Sequence, residues 1–394
     1  MDYAAFATSP AGTLVPTTHG QRAFVPHPLP PSLDSADLWH NLAATMQAVG
    51  NLNGISRRLA NPYMIIRPLQ RREALTSSSM EGTHASPDDL VLFEAGEEQT
   101  VDEAAKEVFN YIKALDQAVQ SLDHLPLSRR MMCETHRILL SRLSKFRGAN
   151  KRPGEYKIHQ NFIGGRSIEE ARFIPPPPRE AEAAMNDLEG YINQENPPLP
   201  PIIDAALIHY QFEAIHPFAD GNGRVGRIII PIYLMSRKIF DAPILYLSPY
   251  IEENKAEYID LMYEVSRSGA WSNWINFFLR AIRETCNDTV ATIDMLLELH
   301  GTYRRKAHAV SRSSTVQAIV DSLFEKPVLS IPDAAGVANV TYPAAATAVN
   351  KLVEAGILRE LAVATTPKRY IAPDVVMISS GYFKNRIVDT SEPM

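Results

Sequence analysis

The 394-residue sequence is long enough for two or three domains with a sizeable core, and its apolar fraction is typical of a globular protein. Its formal net charge of −6 argues against nucleic-acid binding by the chain as a whole. The sequence has no apolar run of membrane-spanning length and no secretory signal, and Cys133 and Cys286 lack metal-site spacing. These features predict a reduced, cytoplasmic protein without a membrane partner.

The first 125 residues change from a proline-rich to a helical pattern. Residues 1–35 are rich in proline and small residues, which predicts an extended N-terminal arm that lies on the surface or is partly disordered. From about 36 to 125, apolar residues recur at intervals of three and four, as along one face of a helix. We therefore expect an N-terminal helical region there.

Residues 153–175 interrupt this pattern. Short β-prone runs flank Gly164 and Gly165, which predicts a β-hairpin over about 156–175. Helical patterns return after it and continue to about residue 300. The segment 126–304 is thus predicted to be a helical core with one hairpin.

From about residue 305 the sequence predicts a separate small domain, 305–394. Helices are expected over 314–324, from about 331, and over 342–356. Two short strand candidates follow, one on each side of residues 365–370. This order is that of a winged helix-turn-helix. The predicted fold class is mainly α: a helical bundle with a β-hairpin flap, plus a C-terminal winged helix-turn-helix domain.

The stretch HPFADGNGRVGR at 216–227 contains the pattern G-x-G-x-x-G, which occurs in dinucleotide-binding turns. That interpretation requires a β-strand before Gly221 and a parallel sheet around it. The preceding residues, 201–215, have helical spacing instead, although Asp241 lies where a ribose-binding acid would be sought. The dinucleotide interpretation is therefore not favoured.

A di-iron centre is a second alternative. Glu213 and His216 form E-x-x-H, with His209 one helical turn before Glu213. Di-iron bundles use this motif twice, and the sequence contains no second copy. This alternative is not favoured either.

A loop that leads into a helix near Asn222 is the favoured interpretation. The helix N-terminus and glycine amides would form an anion site, and Arg224 and Arg227 share a helix face from which they could contact phosphate oxygens. Asp220 offers a hard oxygen ligand for Mg²⁺, and His216 is a natural general base. Each feature alone is commonly structural, but their combination within one short stretch favours phosphate chemistry.

The same stretch is similar to the active-site signature of the Fic family, H-x-F-x-[D/E]-G-N-G-R-x-x-R, and matches every fixed position. GEYKIHQNFIGG at 154–165 and FIPPPP at 173–178 resemble that family's hairpin flap and its exit. The resemblance covers roughly 30–300, and a winged helix also occurs in bacterial relatives. It implies a Fic-type bundle that transfers AMP from ATP to a Tyr, Thr or Ser hydroxyl of a protein and releases pyrophosphate.

The resemblance also implies roles for individual residues. His216 would deprotonate the target hydroxyl, Asp220 would hold Mg²⁺, and Phe218 would anchor the loop in the core. The flap would bind the target protein by strand addition. Arg227 would contact the γ-phosphate of ATP. The residues expected to bind the phosphates are Gly221, Asn222, Gly223, Arg224, Val225, Gly226 and Arg227. Within that set Gly226 is expected to serve mainly helix packing.

Adenine contacts are assigned by position alone. Tyr250, Asn254 and Tyr258 follow the catalytic helix and are the candidates.

The stretch TSSSMEG at 76–82 resembles the family's inhibitory motif, [S/T]-x-x-x-E-[G/N], through Ser77, Glu81 and Gly82. We expect an inhibitory helix over about 66–82, with Gly82 as its left-handed C-cap. The helix dipole disfavours a carboxylate at that end, so Glu81 needs a cation, which in the family is the residue matching Arg227. Alternatively, Glu81 orients a water that removes AMP from modified targets.

The predicted C-terminal domain leaves a second function class open, a nucleotide-sensing transcriptional regulator. Lys368 and Arg369 are its only obvious basic pair, and Lys351 is the only basic residue of its third helix. A protein-contact role, such as homodimer formation, is favoured over DNA binding.

Overall fold

The computed structural model describes residues 1–18, 20–33, 36–59, 61–97, 102–144, 150–361 and 367–381. Its elements, in chain order, are α1 (Tyr3–Ala7), β1 (Gly12–Pro16), β2 (Arg22–Pro26), α2 (Ala36–Ser56), α3 (Tyr63–Met80), α4 (Pro87–Glu94), α5 (Glu103–Ser121), α6 (Arg129–Leu139), α7 (Pro178–Ile192), α8 (Pro201–Ile215), α9 (Asn222–Ser236), α10 (Ser248–Glu253), α11 (Lys255–Ser268), α12 (Trp271–Val310), α13 (Ser314–Ser322), β3 (Val328–Ser330), α14 (Ile331–Ala338), α15 (Tyr342–Glu354), β4 (Arg359–Glu360), β5 (Arg369–Ile371) and α16 (Pro373–Ser379). The mainly α prediction is confirmed.

The chain forms two compact units that differ from the predicted domains. The first unit is Met1–Asn53 with Asn110–Cys286, and the second unit is Gly54–Phe109 with Asn287–Met394. The expected boundary at 305 falls inside α12, which continues to Val310. Sequence periodicity finds amphipathic helices but does not reveal which faces pair, and so it missed this division.

The N-terminal residues of the first unit differ from the predicted extended arm. β1 and β2 pair as an antiparallel hairpin in which Thr13 lies opposite Val25. Phe6 and Phe24 are fully buried, with their ring centroids 5.3 Å apart. These two aromatic side chains anchor the segment despite its many prolines.

The hairpin also supports the predicted flap. The backbone N–H of Phe24 donates to the carbonyl of Ile174 over 2.9 Å, and Ala23 packs with Ala171 and Ile174. The flap itself has less strand structure than predicted, because its arms join in one antiparallel bridge, between Ile163 and Phe173. The turn at Gly164 and Gly165, both at positive φ, lies beyond this bridge.

Helix α8 is the centre of the first unit. Nearly all of its residues are buried, as expected for a helix that is apolar on every face. Its buried Asp204 accepts hydrogen bonds from the hydroxyls of Tyr191 and Tyr233, at 2.5 and 3.1 Å. Burial raises the pKa of Asp204. The loop that follows α8 therefore starts from a rigid, fully packed helix.

In the second unit, α3 and α4 pack with C-terminal elements. Val91 of α4 shares an apolar cluster with Val328, Ile371 and Val376. The guanidinium of Arg71 on α3 contacts the Glu94 carboxylate at 2.8 Å and donates to the carbonyl of Glu325 at 2.5 Å. The inhibitory motif thus lies in the same unit as the C-terminal elements.

The helices expected in the C-terminal part are present as α13, α14 and α15. Strand β5 pairs with β4, and also with β3, a strand that the sequence did not predict. Residues 362–366, part of the predicted wing, lie outside the described residues. The assignment as a winged helix-turn-helix stays a prediction.

Over the described ranges, none of the helices combines the length and apolar character that crossing a membrane requires.

Candidate active site

The loop between α8 and α9 begins at His216, which has a left-handed backbone conformation with φ 51° and ψ 60°. Its N–H donates to the carbonyl of Phe212 over 2.9 Å, which ends α8. The ring Nδ1 lies 3.3 Å from the carbonyl oxygen of Glu213. Since a carbonyl only accepts, Nδ1 carries the proton in this contact, and Nε2 is the nitrogen suited to act as a base.

Asn222 closes the loop. Its Oδ1 accepts from the N–H of Phe218 at 2.8 Å, and its Nδ2 donates to the Phe218 carbonyl at 2.9 Å. Asn222 is 1% exposed and Phe218 is fully buried. The predicted phosphate contact of the Asn222 side chain is therefore not supported: this side chain holds the loop, and Phe218 anchors it.

The N-terminus of α9 is an electropositive site. Gly221 precedes the helix with φ 77°, and in this described stretch no side chain caps the helix. The first N–H groups of a helix have no intrahelical acceptor and carry part of a positive charge. Arg224 and Arg227 add two guanidinium groups and are only 3% and 4% exposed.

Asp220 is the acidic group at this end of the helix. Its side chain is 44% exposed, and its Oδ1 lies 3.8 Å from the guanidinium of Arg224. The same oxygen accepts from the N–H of Gly221 at 2.6 Å. The carboxylate is thus oriented by its neighbours while much of it faces solvent.

Val225 serves packing, which corrects its predicted place among the phosphate-binding residues, and Gly226 makes the helix-packing contact expected of it. Val225 is fully buried and lines a small apolar cavity together with residues of α6. A Cβ added to Gly226 would lie 2.1 Å from Oε1 of Glu213 and 3.2 Å from Cδ1 of Phe212. An alanine here would displace the Glu213 carboxylate and press on the Phe212 ring, so glycine favours the close approach of α8 and α9.

His136 on α6 supports the loop, although sequence reasoning did not select it. Its ring stacks on Phe218 with centroids 3.9 Å apart. Nδ1 accepts from the N–H of Gly154 at 2.9 Å, so Nε2 carries the proton and donates to the Asp220 carbonyl at 3.0 Å. Burial lowers the pKa of His136 to about 4, and the charge of Arg224 adds to this effect.

Two of the predicted adenine contacts, Tyr250 and Asn254, lie around the end of α10. Nδ2 of Asn254 donates to the Tyr250 carbonyl at 2.9 Å, and the Tyr250 hydroxyl accepts from Nε of Arg280 at 2.7 Å. Tyr258 instead lies in the core, 5% exposed, with its hydroxyl 2.9 Å from Nε2 of His209. The structure does not support Tyr258 as an adenine contact.

The inhibitory motif lies at the end of α3 in the second unit. Ser77 is buried, Glu81 is exposed, and Gly82 has the expected left-handed conformation, with φ 85°. The N–H groups of Gly82 and Thr83 donate to the carbonyls of Ser79 and Ser78, at 2.9 and 3.0 Å, and so end the helix. The Glu81 carboxylate is thereby held at the negative end of the α3 dipole.

No group of three or more His, Cys, Asp or Glu side chains in the described part of the chain could hold a metal ion by itself. A cation at Asp220 would need further ligands from a substrate.

Two family models match this chain. Residues 39–120 match the model described as Fic/DOC family N-terminal, and residues 126–234 match the Fic/DOC family model.

Curated relatives match part of this chain. The "Protein adenylyltransferase Fic" of Drosophila virilis is 30% identical over 141 residues, which are 34% of this chain and 27% of that protein. The protein of the same name from Drosophila melanogaster is 34% identical over 118 residues, 30% of this chain and 21% of that protein. The match therefore spans only about a quarter of the length of these relatives.

Solved structures share the fold. A Fic family protein from Desulfovibrio desulfuricans has a TM-score of 0.55 at 18% identity, covering 87% of this chain and 98% of that chain. A Fic domain containing signaling protein from Bacteroides thetaiotaomicron has a TM-score of 0.50 at 20% identity, covering 64% and 94%. The predicted Fic-type bundle is confirmed. Because relatives come from insects and bacteria, a bacterial source stays a prediction.

We expect Gly226→Ala to lower the free energy of unfolding by about 1–3 kcal/mol, because the added methyl group overpacks the α8–α9 contact. Urea unfolding of the purified variant measures this change. Gly190→Ala in α7 is the matched control, since a Cβ there meets nothing within 4 Å. The control should match or exceed the wild-type stability, by up to about 1 kcal/mol. Equal effects of the two substitutions would contradict the packing role of Gly226.

We also expect an acid-labile first unit. The pKa of His136 is about 4 in the folded protein, against about 6.5 for an unfolded histidine. Between these values the unfolded chain binds more protons, so stability falls as the pH drops from about 6.5 toward 4. At pH 5 His136 alone would remove about 2 kcal/mol relative to pH 7.

His136→Gln tests this expectation, because glutamine can still donate to the Asp220 carbonyl but does not titrate. Urea unfolding at pH 7 and pH 5 should show a smaller loss for this variant than for the wild type. His124→Gln, at an exposed position, is the control and should leave the loss unchanged. An identical loss in all three proteins would contradict the assignment.

Proposed function

We propose that this chain is a Fic/DOC family protein that transfers AMP from ATP to a hydroxyl side chain of a protein. The family-model matches over 39–120 and 126–234 support this proposal. The observation that carries this proposal is the loop 216–227: a histidine base next to an uncapped helix N-terminus and two nearly buried arginines.

Each step of the proposed reaction has a group suited to it. Nε2 of His216 takes the proton of the target hydroxyl, whose oxygen attacks the α-phosphorus of ATP. The bond from that phosphorus to the bridging oxygen breaks, and pyrophosphate leaves. The backbone amides at the N-terminus of α9 and the guanidinium groups of Arg224 and Arg227 stabilise the negative charge that develops on the phosphate oxygens. The flap presents the target segment by strand addition.

Asp220 fits Mg²⁺. It supplies one hard, partly exposed carboxylate, and Mg²⁺ in nucleotide sites is commonly held by one or two carboxylates, substrate phosphates and water. When bound, the ion would neutralise charge on the β- and γ-phosphates. The hydrogen bond from Gly221 and the nearby guanidinium of Arg224 orient the carboxylate toward the helix end.

We propose a protein-contact role for the C-terminal elements. Arg369 contacts the carboxylates of Glu97 and Asp333, both at 2.7 Å, and Lys368 contacts Glu360 at 2.7 Å. Paired basic side chains contribute little phosphate neutralisation, so DNA binding is not favoured. Homodimer formation remains the predicted form of such contact.

A reducing compartment such as the cytoplasm suits Cys133 and Cys286, which are free thiols.

Transfer is tested with ATP labelled at the α-phosphate and, separately, at the γ-phosphate. We expect the α-label to become protein-bound, with a mass gain of one adenylyl group, and the γ-label not to. His216→Ala should reduce the rate about 10²–10⁴-fold, because the general base is lost. His124→Ala, an exposed histidine outside the loop, is the control. Transfer of the γ-label, or an unchanged rate in His216→Ala, would contradict the proposal.

We further propose that Glu81 restrains the reaction. Its carboxylate at the negative end of α3 is stabilised by a cation, and the family's motif implies that Arg227 is that cation. If the Glu81 carboxylate pairs with Arg227, the guanidinium of Arg227 can no longer contact the γ-phosphate of ATP. The alternative, in which Glu81 supports removal of AMP from modified targets, predicts a different effect of the same substitution.

Glu81→Gly should raise the initial rate of α-label transfer by about tenfold or more, equivalent to about 1.4 kcal/mol of restraint removed. Glu195→Gly, in an exposed loop, is the matched control and should have no effect. If Glu81→Gly leaves the rate unchanged but abolishes AMP removal from a premodified target, the restraint is refuted and the hydrolytic role is supported.

A further inference from the structure

The segment that enters the flap contacts the catalytic loop along its whole turn. The backbone N–H of Lys157 donates to the Pro217 carbonyl at 2.8 Å, and its Nζ donates to the Ile215 carbonyl at 3.3 Å. Nδ2 of Asn161 donates to the carbonyls of His216 and Phe218, at 3.2 and 3.1 Å. Every carbonyl from Ile215 to Phe218 therefore accepts a hydrogen bond from Lys157 or Asn161.

The two residues also form a pair. Nζ of Lys157 donates to Oδ1 of Asn161 at 2.7 Å, which fixes the amide with its Nδ2 toward the loop. Lys157 is 4% exposed, and burial lowers the pKa of its ammonium to about 7. A lysine is rarely buried to this extent, so its place here requires the acceptors that the loop and Asn161 supply.

The opposite side of the same segment is exposed. Ile158 is 53% and Phe162 is 39% exposed, whereas Lys157 and Asn161 face the loop. One short segment thus contacts the loop through polar groups and presents apolar groups outward just before the Ile163–Phe173 bridge.

The bonded carbonyls surround a backbone conformation that is unfavourable by itself. A non-glycine residue in the left-handed region costs about 1–2 kcal/mol and persists only where neighbouring contacts hold it. His216 has this conformation, and the carbonyls on both sides of it are bonded by Lys157 and Asn161.

We propose that Lys157 and Asn161 are positioning residues that hold His216 in its left-handed conformation, so that its ring is placed for proton transfer. This inference rests on the proposed AMP transfer. Neither residue contacts the reacting atoms; each acts through the loop backbone.

The test compares steady-state constants for ATP in the Glu81→Gly background and in the wild type. Lys157→Met keeps roughly the length of the side chain but removes the charged donor. Asn161→Ala removes both amide contacts with the loop, together with the acceptor for Lys157, at a half-buried position. We expect each to lower kcat about 10–100-fold while KM for ATP changes less than about twofold, as for a group that acts on the transition state alone. Lys157→Arg retains N–H donors and should restore at least part of kcat.

Lys157→Met and Asn161→Ala should be non-additive, because both act through one loop. The kcat of the double variant should be close to that of the less active single variant. Lys151→Met, an exposed lysine six residues earlier, is the matched control and should leave both constants unchanged. Thermal unfolding of every variant separates misfolding from misplacement, and Asn161→Ala keeps the test informative if Lys157→Met does not fold.

An unchanged kcat in folded Lys157→Met and Asn161→Ala would overturn the inference, as would a rise in KM for ATP at constant kcat. Absence of α-label transfer by the wild type and by Glu81→Gly would instead refute the proposed function. The two failures are therefore distinguishable.

Discussion

The turn between α8 and α9 is the constraint on which the first unit depends. The chain must leave a buried helix, place His216 in a left-handed conformation, and start a new helix at Asn222 without a side-chain cap. Such a turn is unfavourable in an isolated chain. It is stable here because Phe218 is anchored in the core and because its backbone is bonded by side chains of two other segments, His136 and Asn161, and by Asn222 of the turn itself.

These supports differ in chemistry. His136 holds the Asp220 carbonyl from α6 and stacks on Phe218, Asn222 ties the Phe218 backbone from within the loop, and Asn161 reaches the loop from the flap entry. The flap is in turn backed by the N-terminal hairpin. The path of contacts from the surface hairpin to His216 is therefore continuous. A target protein that binds the flap would meet a surface already fixed relative to the base, which reduces the ordering cost of binding.

The sequence predicted the local backbone of the site better than the contacts that support it. The loop motif specifies residue types at fixed spacing, so the helix start at Asn222 and the left-handed Gly82 were predictable from local rules. His136 and Lys157 were not, because a single histidine or lysine on an amphipathic segment carries no signal of what it faces in space. The N-terminal hairpin was missed for a related reason: proline-rich composition predicts an arm, whereas the burial of Phe24 is set by tertiary packing.

The distribution of charge around the loop follows from burial. Burial lowers the pKa values of His136 and His209, and the nearby charges of Arg224 and Arg227, respectively, lower them further. Both histidines are therefore neutral at physiological pH. In each ring, one nitrogen donates a hydrogen bond and the other accepts one. Permanent positive charge in the loop thus rests on the arginines, which cannot lose their protons, and on the fixed dipole of α9.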